Sequence, residues 1–147
     1  AEQATFVSLF LRRETILRVG LPIQEFFIWG DDIEFTRRIA VREGTPCFVA
    51  GGSQVIHATK NNEGSNIALD DPERIGRYFY AFRNEAYLYR QEGAKGRLFC
   101  FEKRCRDFLR IVRYGRPLGP RFGVLLRGMW AGMFFRPSVE KILSETI

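Results

Sequence analysis

Apolar residues recur at helical spacing from Pro72 almost to the end of this 147-residue chain, and this pattern restricts its fold strongly. The spacing predicts a helix from Pro72 to about Gln91, where the stretch EGAKG interrupts it. A second helix is predicted over about residues 96–114 and, after GRPLGP, a third over about residues 121–135. The second half of the chain is therefore expected to be α-helical.

The first third of the chain mixes helix and strand signals. Residues 13–19 and 31–43 have helical spacing, and three segments have the composition of short strands: ATFVSLFLRR, TPCFVAG and SQVIHA. The polar stretch TKNNEGSNIALDD is predicted to be a loop. A sheet of about three strands has exposed edges unless other strands pair with it. We therefore expect an α/β first third that belongs to a larger domain.

Composition and charge restrict the classes of function. The hydrophobic fraction of 46% and the charged fraction of 27% are typical of a globular protein. Three cysteines without a CxxC spacing predict reduced thiols in a cytoplasmic setting. The net charge is +6, and residues 83–127 alone carry 12 basic and 4 acidic side chains. Such a segment suggests an anionic membrane or nucleic acid as partner, and composition does not choose between them.

Two adjacent aspartates open the predicted helix in GLPIQEFFIWGDDIEFTRRIA. In one interpretation Asp31 and Glu34 form a capping box, and Asp32 is a first-turn acid favoured by the helix dipole. In the other, Asp32 is held at the helix N-terminus so that its carboxylate accepts a proton from a substrate hydroxyl. The two interpretations do not exclude each other.

His57 is the only histidine, and it ends a predicted strand just before the polar loop. A lone histidine is more often structural than a ligand, although an imidazole at such a position suits a divalent metal. The sequence contains no Asp-x-Asp, no HExxH and no second histidine. Any metal bound by His57 would therefore need ligands from elsewhere.

Over residues 5–90, the order and spacing of four segments resemble the C-terminal half of family 2 glycosyltransferases with the GT-A fold. The segments are FLRRETILRVGLP, FFIWGDDIEFTRRI, VIHATKNNEGSN and RYFYAFRNEAYLYR. The likeness is strongest to bacterial enzymes that build cell-surface polysaccharides, including galactofuranosyl- and rhamnosyl-type transferases. It implies a partial GT-A domain with its acceptor side and catalytic base in residues 1–70, and a helical extension in residues 71–147.

The resemblance also implies roles for individual residues. Asp32 matches the base that deprotonates the acceptor hydroxyl in an inverting displacement, and Asp31 matches a neighbouring acceptor-binding carboxylate. Trp29 matches an aromatic ring beside the acceptor sugar, although packing at the helix start explains it equally well. His57 matches a ligand that shares Mg²⁺ or Mn²⁺ with an Asp-x-Asp absent from this chain. Because the nucleotide-binding half is missing, we expect the chain alone to be inactive and to bind nucleotide-sugars weakly.

Three features remain open to more than one interpretation. The pair Arg83 and Asn84 lies on a helix face with tyrosines, where it could contact a saccharide or hold the polar loop; Glu34 is likewise either a substrate contact or structural. Residues 96–135 mix basic and aromatic side chains. They suit peripheral attachment to an anionic membrane, with RFGVLLRGMWAGMFFRP as the inserted helix, or simply helices with solvated basic faces.

Taken together, the sequence predicts a transferase that moves a sugar from a nucleoside-diphosphate donor to a saccharide or lipid-linked acceptor, at the cytoplasmic face of the cell membrane. The alternative is a non-catalytic basic module that binds an anionic membrane or nucleic acid. Nucleic acid is not expected as a partner, because the chain has no helix-turn-helix, RNP-type or zinc-finger signature. The oligomeric state stays open, a homo-oligomer included.

Overall fold

The computed structural model describes residues 1–58 and 65–142 of the chain. These residues contain five α-helices: α1 (Arg13–Val19), α2 (Asp31–Arg37), α3 (Tyr78–Arg90), α4 (Gly93–Tyr114) and α5 (Leu118–Phe134). A π-helical turn, Arg38–Arg42, continues α2, and short 3-10 helices cover Gln24–Phe26 and Pro72–Arg77. The helices predicted from the sequence are confirmed, with boundaries that shift by a few residues.

The predicted partial GT-A sheet is wrong. Residues 1–58 and 65–142 contain no β-strand, and the three strand candidates are irregular segments. The first candidate ends at Arg13, where α1 begins. Apolar side chains in these segments, including Phe10, Phe48 and Ile56, are largely exposed. A segment has the composition of a strand when its side chains fit a half-buried pleated surface. The backbone N–H and C=O groups of a strand also need a neighbouring strand, and none pairs with these segments in the described part of the chain.

The chain divides into two compact units. The first unit comprises, among the described residues, 1–27, 31–58 and 137–142. Its core consists of Val19, Phe35 and Ile39, against which Leu9 and Cys47 pack. Helices α1 and α2 thus bury their apolar faces in a small core of their own.

The second unit comprises residues 28–30 and the described part of 63–136, and α3 packs against both α4 and α5. Its core includes Tyr78, Phe82, Ile111 and Leu125. The contact between α3 and α5 is close: a Cβ atom added to Gly128 would lie 2.7 Å from the Cβ of Phe82. Among the described residues, no helix combines the length and apolar character that crossing a bilayer requires.

A buried arginine fixes the segment that precedes α3 in this unit. The guanidinium of Arg121, near the start of α5, donates hydrogen bonds to the carbonyl oxygens of Ile67 and Asp70. It also donates to the carbonyl of Arg116 over 2.7 Å. Because one rigid fork of donors satisfies these carbonyls, the turn at residues 67–70, which precedes the 3-10 helix Pro72–Arg77, is anchored to α5.

Candidate functional site

The aspartate pair lies at the start of α2, in the first unit. Asp31 is the first helical residue, and Oδ1 of Asp32 accepts a hydrogen bond of 2.8 Å from the backbone N–H of Ile33. The predicted capping box is not formed, because both carboxylate oxygens of Glu34 face the buried guanidinium of Arg38. Asp32 is therefore the member of the pair with a fixed carboxylate, and Glu34 has a structural contact.

The ion pair between Glu34 and Arg38 positions α2. The two side chains are buried, and Nη2 of Arg38 lies 2.7 Å from Oε2 of Glu34. The same guanidinium donates to the carbonyl oxygens of Val19, over 2.7 Å, and Leu21, over 3.1 Å. The start of α2 is thus tied to the turn that ends α1. A buried pair whose remaining donors are also satisfied holds one geometry.

The environment of Asp32 changes its acidity. Partial burial raises the pKa of the Asp32 carboxyl, and the charge of Asp31 raises this pKa further, while the hydrogen bond from Ile33 opposes the shift. Thr36 supports the first turn of α2, since its hydroxyl donates to the carbonyl of Asp32 over 2.8 Å and accepts from the N–H of Ala4. A fixed carboxylate with a raised pKa is a stronger proton acceptor when ionised, which suits a general base.

The residues just before the aspartate pair have unusual backbone conformations. Phe27, Trp29 and Gly30 have φ angles of 60°, 63° and 87°. A non-glycine residue in this left-handed region costs about 1–3 kcal/mol and persists only where its surroundings hold it. The indole of Trp29 packs against Tyr78, with 5.0 Å between ring centroids, and the guanidinium of Arg77 lies 5.6 Å from its centroid.

Asn84 is fully buried in α3, and its amide holds the turn that contains Trp29. Its Nδ2 donates to the carbonyl oxygens of Ile28, over 3.0 Å, and Trp29, over 2.9 Å. Nε of Arg83 donates to Oδ1 of Asn84 over 3.0 Å, and the guanidinium of Arg83 stacks on Phe135 at 4.1 Å. The sequence left the role of Asn84 open; the structure shows that it stabilises the strained turn directly before Asp31.

His57 lies exposed in an irregular segment. Within residues 1–58 and 65–142, no three His, Cys, Asp or Glu side chains cluster so that they could hold a metal ion. The described residues therefore do not fit a complete divalent metal site, and we derive no chemical step through a metal. Part of the predicted polar loop, residues 59–64, lies outside the described residues.

Comparison with known proteins supplies a class for this arrangement. The chain is 27% identical over 130 residues to the galactofuranosyltransferase GlfT1 of Mycolicibacterium smegmatis, an alignment that covers 76% of this chain and 43% of that protein. It is 29% identical over 98 residues to GlfT1 of Mycobacterium tuberculosis, covering 61% of this chain and 31% of the relative. The chain is similar to glycosyltransferases. This similarity supports the predicted relation at the level of that class.

The extent of the similarity is limited in two ways. The chain spans less than half the length of these curated relatives. No family model matches the chain, and no solved structure matches it.

Proposed function

We propose that these residues form the acceptor-side part of an inverting, family 2 glycosyltransferase in which Asp32 is the general base. The similarity to galactofuranosyltransferases over 76% of the chain carries the proposal of activity. The fixed, half-buried carboxylate of Asp32 at the start of α2 supports its assignment as the base. The donor is a nucleoside-diphosphate sugar, for which a galactofuranosyl donor is the first choice to test. The acceptor is a growing cell-surface polysaccharide or a lipid-linked saccharide.

In this proposal Asp32 takes the proton of the acceptor hydroxyl while the hydroxyl oxygen attacks the anomeric carbon of the donor. The new glycosidic bond forms as the bond from that carbon to the diphosphate oxygen breaks, and the nucleoside diphosphate leaves from the opposite face. Asp31 accepts hydrogen bonds from acceptor hydroxyls, and Trp29 offers a ring face on which a sugar can stack. His57 would supply one ligand to a Mg²⁺ or Mn²⁺ ion, which would need its other ligands from an Asp-x-Asp that this chain does not contain.

Because the chain spans less than half of its relatives, we propose that it acts within a longer enzyme and is inactive alone. The test is a transfer assay on that longer enzyme with the substitution Asp32→Asn. We expect kcat to fall by a factor of about 10² or more, since a general base contributes about that much, while KM changes little.

The matched control is Glu43→Gln, which removes an exposed carboxylate in the same unit and should leave kcat unchanged. Normal turnover of the Asp32→Asn enzyme would refute the assignment of the base. The Asp31→Asn variant separates the pair: as an acceptor-binding residue it should raise KM more than it lowers kcat.

We also propose peripheral attachment to the inner face of the cell membrane. Leu126, Trp130 and Phe134 follow one another at four-residue intervals on α5, each more than half exposed, with exposed Arg127 beside them. An apolar stripe with an adjacent cation suits the interface of an anionic bilayer.

A vesicle flotation assay tests this attachment. The chain should float with vesicles that contain anionic lipid and much less with neutral ones, and Trp130→Ser should reduce flotation. Phe48→Ser, which changes an exposed aromatic residue far from α5 in sequence, is the control and should have no effect. Equal flotation of the Trp130→Ser variant would rule out α5 as the attachment face.

A further inference from the structure

A cavity of about 400 Å³ lies among α3, α4 and α5 in the second unit. Its walls are mainly apolar and include Phe82, Phe101 and Met129. Three arginines, Arg90, Arg97 and Arg104, also line it. The volume falls in the range of small-molecule sites, which combine apolar walls with a few convergent polar groups.

Arg104 is the unusual member of this lining. Its side chain is only 5% exposed, and its guanidinium stacks on Phe82 at 4.4 Å. Nη2 forms ion pairs with Glu85 and Asp107. Within the described residues, Nε and Nη1 of Arg104 have no hydrogen-bond acceptor.

The unpaired nitrogens require an explanation. Nε carries one proton and Nη1 carries two, so three donors of a charged group are buried without an acceptor. A buried donor left unpaired costs about 1–3 kcal/mol, and more when the group is charged. An acceptor oxygen supplied by a ligand in the cavity would remove this cost.

The charges around the cavity favour an anion. Arg104 is balanced by Glu85 and Asp107, whereas Arg90 donates only to backbone carbonyls in the hydrogen bonds that the structure shows for it, including that of Gly132. Arg97 is exposed at the same cavity. The lining therefore carries excess positive charge beside a large apolar wall.

We propose that this cavity binds a single-chain anionic amphiphile. The alkyl chain occupies the apolar part among α3, α4 and α5. The head group, a carboxylate or a phosphate monoester, accepts hydrogen bonds from Nε and Nη1 of Arg104 and lies near Arg97. An uncharged chain would leave the Arg104 donors unpaired, and a free inorganic anion would leave the apolar wall uncovered. The proposal is independent of the transferase activity.

Calorimetric titration of the 147-residue chain tests it. The probes are dodecyl phosphate, dodecanoate, dodecanol and inorganic phosphate, each below its micelle concentration where it has one. We expect both anionic amphiphiles to bind about tenfold or more tightly than dodecanol, because each charge-assisted hydrogen bond adds affinity. Inorganic phosphate should show no saturable binding. The ratio of dodecyl phosphate to dodecanoate affinity distinguishes a phosphate-headed from a carboxylate-headed ligand.

Variants locate the binding. Arg104→Lys keeps the positive charge but removes the planar fork, so it should weaken the anionic amphiphiles by about tenfold and leave dodecanol unchanged. Arg97→Gln changes an exposed residue and should weaken the same two probes even if Arg104→Lys unfolds the chain. Cys100→Trp should reduce the binding of every alkyl probe, because Cys100 lines the cavity.

Arg106→Gln is the control: this exposed arginine also lies on α4 but outside the cavity lining, and its loss should change nothing. Three results would overturn the proposal. They are equal affinity for dodecanol and dodecyl phosphate, no saturable binding of any amphiphile, and unchanged affinity in a folded Arg104→Lys or Arg97→Gln variant.

Discussion

At the scale of single residues, the carboxylate of Asp32 is held where its charge is disfavoured. Burial raises its pKa above the usual value of 3.8, and Asp31 adds to the shift. A raised pKa in the folded state means that ionised Asp32 destabilises the fold. A charged group that lowers the stability of the fold, and whose position no structural contact explains, is a candidate for a functional role.

The substitution Asp32→Asn should therefore stabilise the chain near neutral pH. The asparagine Oδ1 can still accept from Ile33, while the disfavoured charge is removed. As the pH rises from 3.8, the pKa of Asp32 in the unfolded chain, through its higher pKa in the folded chain, the wild type should lose stability relative to the variant. The difference should vanish at pH values well below 3.8, where Asp32 is protonated in both the folded and the unfolded chain. Urea denaturation at several pH values measures the difference. A variant less stable than wild type at pH 7 would contradict it.

Asn84 should be intolerant of a nearly isosteric change. In Asn84→Asp the donating amide becomes a carboxylate, so the carbonyls of Ile28 and Trp29 lose their donor and face an acceptor. We expect a loss of at least about 2 kcal/mol in the free energy of unfolding, measured by urea denaturation. The control is Asn66→Asp: Oδ1 of Asn66 accepts from the N–H of Ala68, and a carboxylate can do the same. Equal effects of the two substitutions would refute the role of Asn84.

At the scale of elements, two glycines of α5 should respond oppositely to alanine. A Cβ at Gly128 would lie 2.7 Å from the Cβ of Phe82 and 3.0 Å from the carbonyl oxygen of Phe79, so α3 and α5 would have to separate. Gly128→Ala should cost about 1–3 kcal/mol. A Cβ at Gly123 meets no atom within 4 Å. Gly123→Ala should therefore raise the free energy of unfolding by about 0.5–1 kcal/mol, because alanine has the higher helix propensity. Thermal unfolding monitored by circular dichroism compares them; a shared sign would contradict the close packing.

The elements also show how far sequence reasoning extends in this chain. Helical spacing is a local property, and it located α1 at residues 13–19 and the long helices after Pro72. The strand predictions failed because a strand depends on a distant partner that composition does not specify. The start of α2 at Asp31 was predictable. The ion pair between Glu34 and Arg38 was not, because the same local pattern also allows Glu34 to turn back to the helix start in a capping box.

The candidate site was predictable only in part for the same reason. The aspartate pair lies at a helix start that the local pattern marks. The hydrogen bonds of Asn84 reach across 55 and 56 residues of sequence. No spacing rule connects positions so far apart, so the sequence identified Asn84 as notable without giving its partner.

At the scale of the whole molecule, residues 1–58 and 65–142 form two hydrophobic cores, and the chain spans less than half the length of its curated relatives. If the chain is the acceptor-side part of a longer enzyme, as we propose, the chain alone should not bind UDP or dTDP tightly. Titration calorimetry with and without Mn²⁺ should show no saturation in the micromolar range. The longer enzyme is the positive control. Micromolar, metal-dependent binding to the chain alone would show that it contains its own nucleotide site.

Two arginines that count towards the net charge of +6 have structural contacts inside the protein: Arg38 and Arg121 are buried. Their forks bridge several oxygens at once, a geometry that the single ammonium of lysine does not reproduce. If each arginine were exchanged for lysine in turn, the formal charge would stay constant throughout the series. Tolerance should nevertheless divide sharply: exposed positions such as Arg106 should accept the exchange, whereas exchange of Arg38 or Arg121 should reduce the amount of folded protein. In this chain, exchange of arginine for lysine should preserve the fold only where the guanidinium faces water.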